Sequence, residues 1–147
     1  MPAAQRTIMI ARPPEQVFGF FTEPANDLKW RSHVKEASAQ GPVGKGATVH
    51  QVIAGPGGRA IPADLEVTGY EPPSRYAFTV IAGPARPVGE FRFAPVDNGT
   101  QVSFSLSAEL SGIKKLFMSK SVQKAMDGEM ASLDKAKALI EQQEQPS

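Results

Sequence analysis

The sequence contains no cysteine. Disulfide staples, thiolate metal sites and cysteine nucleophiles are therefore excluded. Histidine is nearly as scarce, with His33 and His50 as the two examples. No Ser/His/Asp arrangement, no carboxylate pair with a defined role and no metal-ligand spacing can be found. Charge of one sign is also missing: 16 basic against 15 acidic residues leave a net of +1. Such a balance provides no global field to attract nucleic acid or an anionic membrane. No stretch approaches the ~20 apolar residues of a membrane span. Residues 1–11 lack a basic segment followed by a long apolar run, so no signal peptide is expected. These absences predict a soluble, cytoplasmic protein with no metal, no cofactor and no nucleic-acid partner.

What remains is enough for an ordinary core. The length of 147 residues favours one domain, with its core over about residues 6–141. A chain of this size buries roughly 68–70% of its unfolded surface without needing staples. No internal repeat and no linker splits it.

The first β-prone run is Thr7-Ile8-Met9-Ile10-Ala11. Pro13 and Pro14 then stop the strand and suit the first turn of a helix, where a missing N–H costs nothing. Glu15 favours the positive end of the helix dipole. Val17, Phe18, Phe20 and Phe21 fall mostly on one face at helical spacing. A second short helix is expected over residues 25–30, with Leu28 as an apolar contact beside Trp30.

From residue 33 to 109 the pattern becomes strands separated by turn chemistry. Gly41-Pro42, Gly55-Pro56-Gly57-Gly58, Glu71-Pro72-Pro73-Ser74, Gly83-Pro84 and Asp97-Asn98-Gly99-Thr100 all supply a fixed or positive φ. The last is the strongest hairpin signal. Short connections predict antiparallel neighbours. Tyr76, Phe78 and Val80 share one face, as do Phe91 and Phe93, and Val102, Phe104 and Leu106; Leu65 and Val67 match that phase. Polar neighbours such as Glu90, Arg92, Ser103 and Ser105 alternate with them, as in a sheet covered on one side.

Residues 112–143 read as helix, with Ser111 placed to cap it. Ile113, Leu116 and Phe117 form one apolar cluster. Val122, Met126, Met130, Leu133 and Ile140 form a second, spaced near 3.6. The two are out of register, so a break is expected over residues 118–121. Gly128 costs the helix about 1 kcal/mol against alanine, a cost that close packing or function would explain. A frayed tail is expected from Gln143.

Four stretches together resemble the SRPBCC superfamily, the helix-grip group of polyketide cyclase/dehydrase-like, START lipid-transfer and birch-pollen-allergen-like proteins. They are Ile10-Ala11-Arg12-Pro13-Pro14-Glu15-Gln16-Val17-Phe18, Leu28-Lys29-Trp30, Gly69-Tyr70-Glu71-Pro72-Pro73-Ser74-Arg75-Tyr76-Ala77-Phe78, and Phe91-Arg92-Phe93-Ala94-Pro95 followed by Gly99-Thr100-Gln101-Val102. The resemblance covers roughly residues 6–141. It implies an α+β helix-grip fold: a curved seven-stranded antiparallel sheet around a long C-terminal helix, with two short helices after the first strand. A cavity between sheet and helix is also implied. Members carry lipids, sterols, aromatic polyketides or plant hormones, and some catalyse cyclisation or dehydration. Fold alone does not choose among these.

The candidate ligand-binding residues follow from phase and resemblance together: Trp30, Gln51, Tyr76, Phe78, Phe91, Phe93, Phe104, Met126 and Met130. A concave apolar wall with a few polar groups suits a hydrophobic ligand, and methionines adapt to several shapes. Equally, these side chains can fill a solid core. Trp30 either stacks on a ligand or pins the second helix to the sheet. In the third strand the phase stays open. Either Val49, Gln51 and Ile53 face inward, or Thr48, His50 and Val52 do, and then His50 becomes a possible general base. His33 with Asp27 forms a conceivable imidazole–carboxylate pair without a motif behind it. Gly55-Pro56-Gly57-Gly58-Arg59 lacks the Lys-Ser/Thr ending of a phosphate loop and reads as a hairpin turn.

Lys114, Lys115, Lys120 and Lys124 have no acidic residue among them. They form either a solvated face or a surface for an anionic lipid, a nucleic acid or an acidic protein partner, though the aromatic platforms that single-strand binding wants are absent apart from Phe117. Three functions remain open: carriage of a hydrophobic or aromatic small molecule, a positioning enzyme of the cyclase/dehydrase type, and a protein-interaction module.

Overall fold

The computed structural model describes residues 2–83 and 85–143. The tail beyond Gln143 and part of the Gly83-Pro84 turn lie outside the described residues. Strand β1 (Ala3–Ile10) begins four residues earlier than the β-prone run suggests, because the whole segment finds a partner: Ala3 to Ile10 pair with Ser107 to Thr100 of β8 (Gly99–Ser107). Two short helices follow, α1 (Pro14–Thr22) and α2 (Asp27–Trp30), joined by a 3-10 turn at Pro24–Asn26. Val17, Phe18, Phe20 and Phe21 are all buried, as their spacing predicts. Leu28 differs, being half exposed on the outer side of α2.

The sheet is completed by β2 (Val34–Ala39), β3 (Thr48–Ala54), the short β4 (Ala60–Pro62), β5 (Leu65–Glu71), β6 (Arg75–Val80) and β7 (Val88–Val96). Seven strands run in the order β1-β8-β7-β6-β5-β3-β2, and β4 pairs with β3 beside that path. Every pairing is antiparallel. Gly55-Pro56-Gly57-Gly58-Arg59 is the β3–β4 hairpin turn, with Gly57 at φ 73°. Asp97 and Asn98 form the tight β7–β8 reversal, and Asn98 takes φ 64°.

The alternation read from the sequence gives the inner face. Leu65, Val67, Tyr76, Phe78, Val80, Phe91, Phe93, Val102, Phe104 and Leu106 are all buried. Phe91 and Phe104 are register partners, and their rings stack with centroids 4.0 Å apart and planes 3° apart. Opposite Phe78 stands Gly89. A Cβ there would lie 2.3 Å from the Phe78 ring, so the glycine makes room for that ring to lie across the neighbouring strand.

Helix α3 (Gly112–Gln142) runs along the concave side without interruption. The break expected over residues 118–121 does not occur. Val122, Met126, Met130, Leu133, Ala136 and Ile140 are buried, whereas Ile113, Leu116 and Phe117 are 74–77% exposed. The register mismatch is met by leaving the first cluster in solvent, not by bending the helix. Ser111 occupies the N-cap position but makes no side-chain capping bond. Polar clamps fasten α3 to β1 from Gln123 onward. Gln123 exchanges two bonds with the Ala3 backbone, and Arg6 donates to the Met130 carbonyl at 3.0 Å and to Asp134 at 2.6 Å. Gly128 has no atom within 4 Å of an added Cβ, so close packing does not account for it.

Candidate functional site

Between the concave face of the sheet, the α1–α2 corner and the middle of α3 lies a cavity of about 170 Å³. Its wall is mostly apolar. Tyr76, Phe78, Phe91 and Phe104 come from the sheet, Phe21 and Trp30 from the short helices, and Val122 and Met126 from α3. Each arrives by the same logic. Strand residues two apart share a face, and helix residues four apart share a stripe.

Seven of the nine residues predicted from sequence line this cavity: Trp30, Gln51, Tyr76, Phe78, Phe91, Phe104 and Met126. Phe93 and Met130 do not. Phe93 is buried one pair further along β7, packed edge-on against Phe18 at 5.4 Å. Met130 is buried a turn beyond Met126, where its carbonyl accepts from Arg6. Both have the right phase but sit too far along their elements.

The open phase of β3 is settled by burial. Val49 and Gln51 face inward, and His50 lies half exposed on the other side, with Nδ1 2.9 Å from Asp64 Oδ1. His50 is thus remote from the cavity and removed as a base acting within it.

One part of the wall is ionic. Arg31, the residue after α2, grips Glu129 of α3 with two parallel bonds, Nε to Oε2 at 2.8 Å and Nη2 to Oε1 at 2.9 Å. Its Nη1 donates to Gln51 Oε1 at 3.0 Å and lies 3.4 Å from Asp27 Oδ2. Asp27 Oδ1 also accepts from the Trp30 indole N–H at 3.2 Å. His33 Nε2 is in close contact with Glu129 Oε1, so the histidine pairs with Glu129 and not with Asp27. Trp30 is pinned on several sides: its indole N–H is held by Asp27, Phe21 meets it edge-on at 5.4 Å, and the Arg31 guanidinium lies 5.9 Å from its ring. It therefore fastens α2 and forms part of the wall at once.

Burial and charge act on these groups in different proportions. Burial lifts the Asp27 carboxyl, Arg31 pulls it back and Glu129 pushes it up again, leaving it at about 6. Burial would raise Glu129 as well, but Arg31 and His33 together outweigh it and hold Glu129 at about 2. Burial, with a smaller push from the Asp27 charge, raises the Tyr76 phenol well above its usual range, so it stays protonated. Among the described residues, neither Tyr76 Oη nor Gln51 Nε2 has a hydrogen-bond partner.

Arg31, Glu129, Asp27 and His33 line the cavity and were not among the residues singled out as its wall. The legible signal was Glu129 itself. It lies three residues after Met126 and four before Leu133, so it shares the buried stripe of α3. A carboxylate there requires a cation from elsewhere in the chain.

No protein of curated function matches this sequence. Solved structures of the same fold are numerous. One is TTHA0849 from Thermus thermophilus, with TM-score 0.78 and 21% identity over 95% of this chain and 97% of that one. Another is NE0264 from Nitrosomonas europaea, with TM-score 0.74 and 17% identity over 97% and 96%. The di-domain ARO/CYC BexL of the BE-7585A biosynthetic pathway matches with TM-score 0.70 and 16% identity, over 98% of this chain and 50% of that one. At these identities the likeness is one of fold. The model of the family described as "Polyketide cyclase / dehydrase and lipid transport" matches residues 1–141. With the curved sheet closed on its C-terminal helix, this match means that the chain belongs to that family, within the helix-grip SRPBCC superfamily.

Proposed function

We propose that the protein binds a compact, mainly apolar molecule that carries one neutral hydrogen-bonding group. The observation behind this reading is a cavity walled by aromatic and aliphatic side chains except for a single connected ionic cluster. Size favours a small occupant. A volume of about 170 Å³ is close to the ~150 Å³ of an engineered apolar cavity that takes up benzene, and below the ~300 Å³ at which drug-sized pockets begin. A one- or two-ring compound fits without rearrangement, whereas a sterol or long polyketide requires the helix to move.

Electrostatics select the polar group. Arg31 is neutralised by two carboxylates, so it offers little to a carboxylate ligand. Gln51 Nε2 and the Tyr76 hydroxyl are free to donate, which suits a carbonyl or hydroxyl oxygen. The test is uptake of the neutral two-ring fluorophore 2-naphthol, with native mass spectrometry of whatever copurifies. Ala125→Trp places bulk in the cavity from an exposed helix position and is expected to abolish uptake while the fold persists. A folded wild-type protein that ignores the fluorophore and a panel of neutral ring compounds defeats the reading.

A second reading, acid–base chemistry on the bound molecule, rests on Asp27. A carboxyl at about 6 in an apolar cavity can exchange protons near neutrality, as general acid–base catalysis requires. Conversion of a copurified compound by the wild type, lost in Asp27→Asn with binding retained, supports it. Equal turnover in both proteins removes it.

A further inference from the structure

The first turns of α3 are left over from the account of the cavity. Ile113, Leu116 and Phe117 are 76%, 77% and 74% exposed. At 3.6 residues per turn they share one stripe, roughly half a turn from the buried stripe of Val122, Met126 and Leu133. Lys120 and Lys124 continue the same outward stripe, about 5 and 10 Å further along the axis from Phe117. Lys114 flanks it, whereas Lys115 lies on the opposite side of the helix. All four lysines are exposed, and none has an ion pair among the described residues. No acidic residue occurs from 112 to 126.

Two further exposed apolar residues stand in the outward phase of the sheet, at the end where the chain leaves it for α3. Val88 is the register partner of Ser107, where β8 ends and the chain turns toward α3. Val88 and Ile81 are both exposed at this end, and Arg86 lies exposed between them. The nearest acidic residue of the connecting loop is Glu109. Val80, Pro87, Leu106 and Val122 bring the cavity wall to the same end.

We infer that this end of the molecule docks on an anionic lipid bilayer, with Ile113, Leu116 and Phe117 entering the acyl boundary and Lys114, Lys120 and Lys124 meeting the phosphates. Apolar side chains alone would suit any covering partner, so the charges decide. A second copy on a two-fold axis would bring six lysines together with only the exposed Asp127 of each copy, next along the same stripe, as acidic counterparts, and so leaves cations in excess in the contact. An anionic bilayer satisfies both components, since interfacial helices bind through buried apolar area plus attraction to anionic headgroups. Each basic side chain near such a surface contributes about 1 kcal/mol, roughly a five-fold factor in partitioning. The inference uses only surface residues, so it stands or falls separately from the proposed occupant of the cavity.

The test is sedimentation with vesicles of pure phosphatidylcholine, and of phosphatidylcholine and phosphatidylglycerol at three to one, with light scattering of the protein alone. Binding to the anionic vesicles is expected, falling with salt, and weak or absent on pure phosphatidylcholine. Leu116→Glu with Phe117→Glu should abolish it. Lys114→Glu with Lys120→Glu should reduce it at least about 25-fold. All four positions are exposed, so these variants are expected to keep the wild-type melting profile. Absence of binding to anionic vesicles at low salt overturns the proposal, as does binding unchanged in either double variant. A wild-type dimer that Leu116→Glu and Phe117→Glu convert to monomers also overturns it, by assigning the patch to a second copy.

Discussion

Helix α3 carries similar apolar residues along its length but uses them in two opposite ways. From Val122 to Ile140 they share a stripe that closes against the sheet and short helices, and Leu133 and Ile140 lose all contact with solvent. From 113 to 117 they point roughly the other way, into solvent. Periodicity determines which direction a side chain takes around a helix. Whether anything waits in that direction depends on where neighbouring strands end. Here β1 and β8 stop near Ala3 and Ser107, and α3 continues past them.

The largest expected effect tests what the buried part depends on. Arg31→Ala leaves Asp27 buried without its cation and Glu129 with only His33 beside it. Loss of one partner of a buried pair typically costs about 3–5 kcal/mol, a drop to be read from urea midpoints. Replacing both partners by apolar residues, Arg31→Leu with Glu129→Leu, is expected to cost less than Arg31→Ala alone. Leu133→Ala follows at about 2–5 kcal/mol, a transfer loss plus a cavity in a fully buried site.

The two cavity carboxylates respond to pH in opposite senses. Glu129 is held at about 2, below the ordinary 4.5. Its contribution is therefore complete above 4.5 and lost as pH falls toward 2. Asp27 is raised from 3.8 to about 6. The stability it adds is complete below 3.8 and disappears as pH rises through 6. Wild type should gain stability relative to Asp27→Asn as pH is lowered from about 7 to 4, by about 2–3 kcal/mol at about 1.4 kcal/mol per unit. Parallel urea titrations of the two proteins measure it, and a constant difference across that range excludes the assignment.

Strand phase, the two short helices and the buried stripe of α3 were legible because each rests on a period within one element. The two phases of β3 stayed open because Val49, Gln51 and Ile53 alternate with Thr48, His50 and Val52 without a clear polar side. Gln51 faces inward because Arg31 and the cavity receive it. The ionic cluster was less legible for a related reason. Asp27, Arg31 and Gln51 are distant from Glu129 in sequence, and only closure of α3 onto α2 and β3 brings them together. Phe93 and Met130 show the remaining limit: phase gives the face, but not the depth along an element at which a cavity stops.

A smaller effect belongs to Gly128. It is exposed in the middle of α3, with open space where a Cβ would stand. Gly128→Ala should raise stability by about 0.4–1 kcal/mol, through the lower chain entropy of the unfolded state and alanine's helix propensity. An unchanged or lowered urea midpoint would reveal a contact at this position other than those of the folded monomer.

The smallest expected effect is the sharpest test of the comparison. Leu116→Ala removes the same atoms from the same helix as Leu133→Ala, yet Leu116 is 77% exposed. Little apolar area is returned to water, and alanine is the slightly better helix former. The change in unfolding free energy should stay within about 0.5 kcal/mol, as for other surface substitutions. Equal destabilisation by the two variants would place the first turns of α3 against the body of the protein in solution. A silent Leu116→Ala beside a costly Leu133→Ala means that folding does not account for the apolar tip, and leaves it for an external surface.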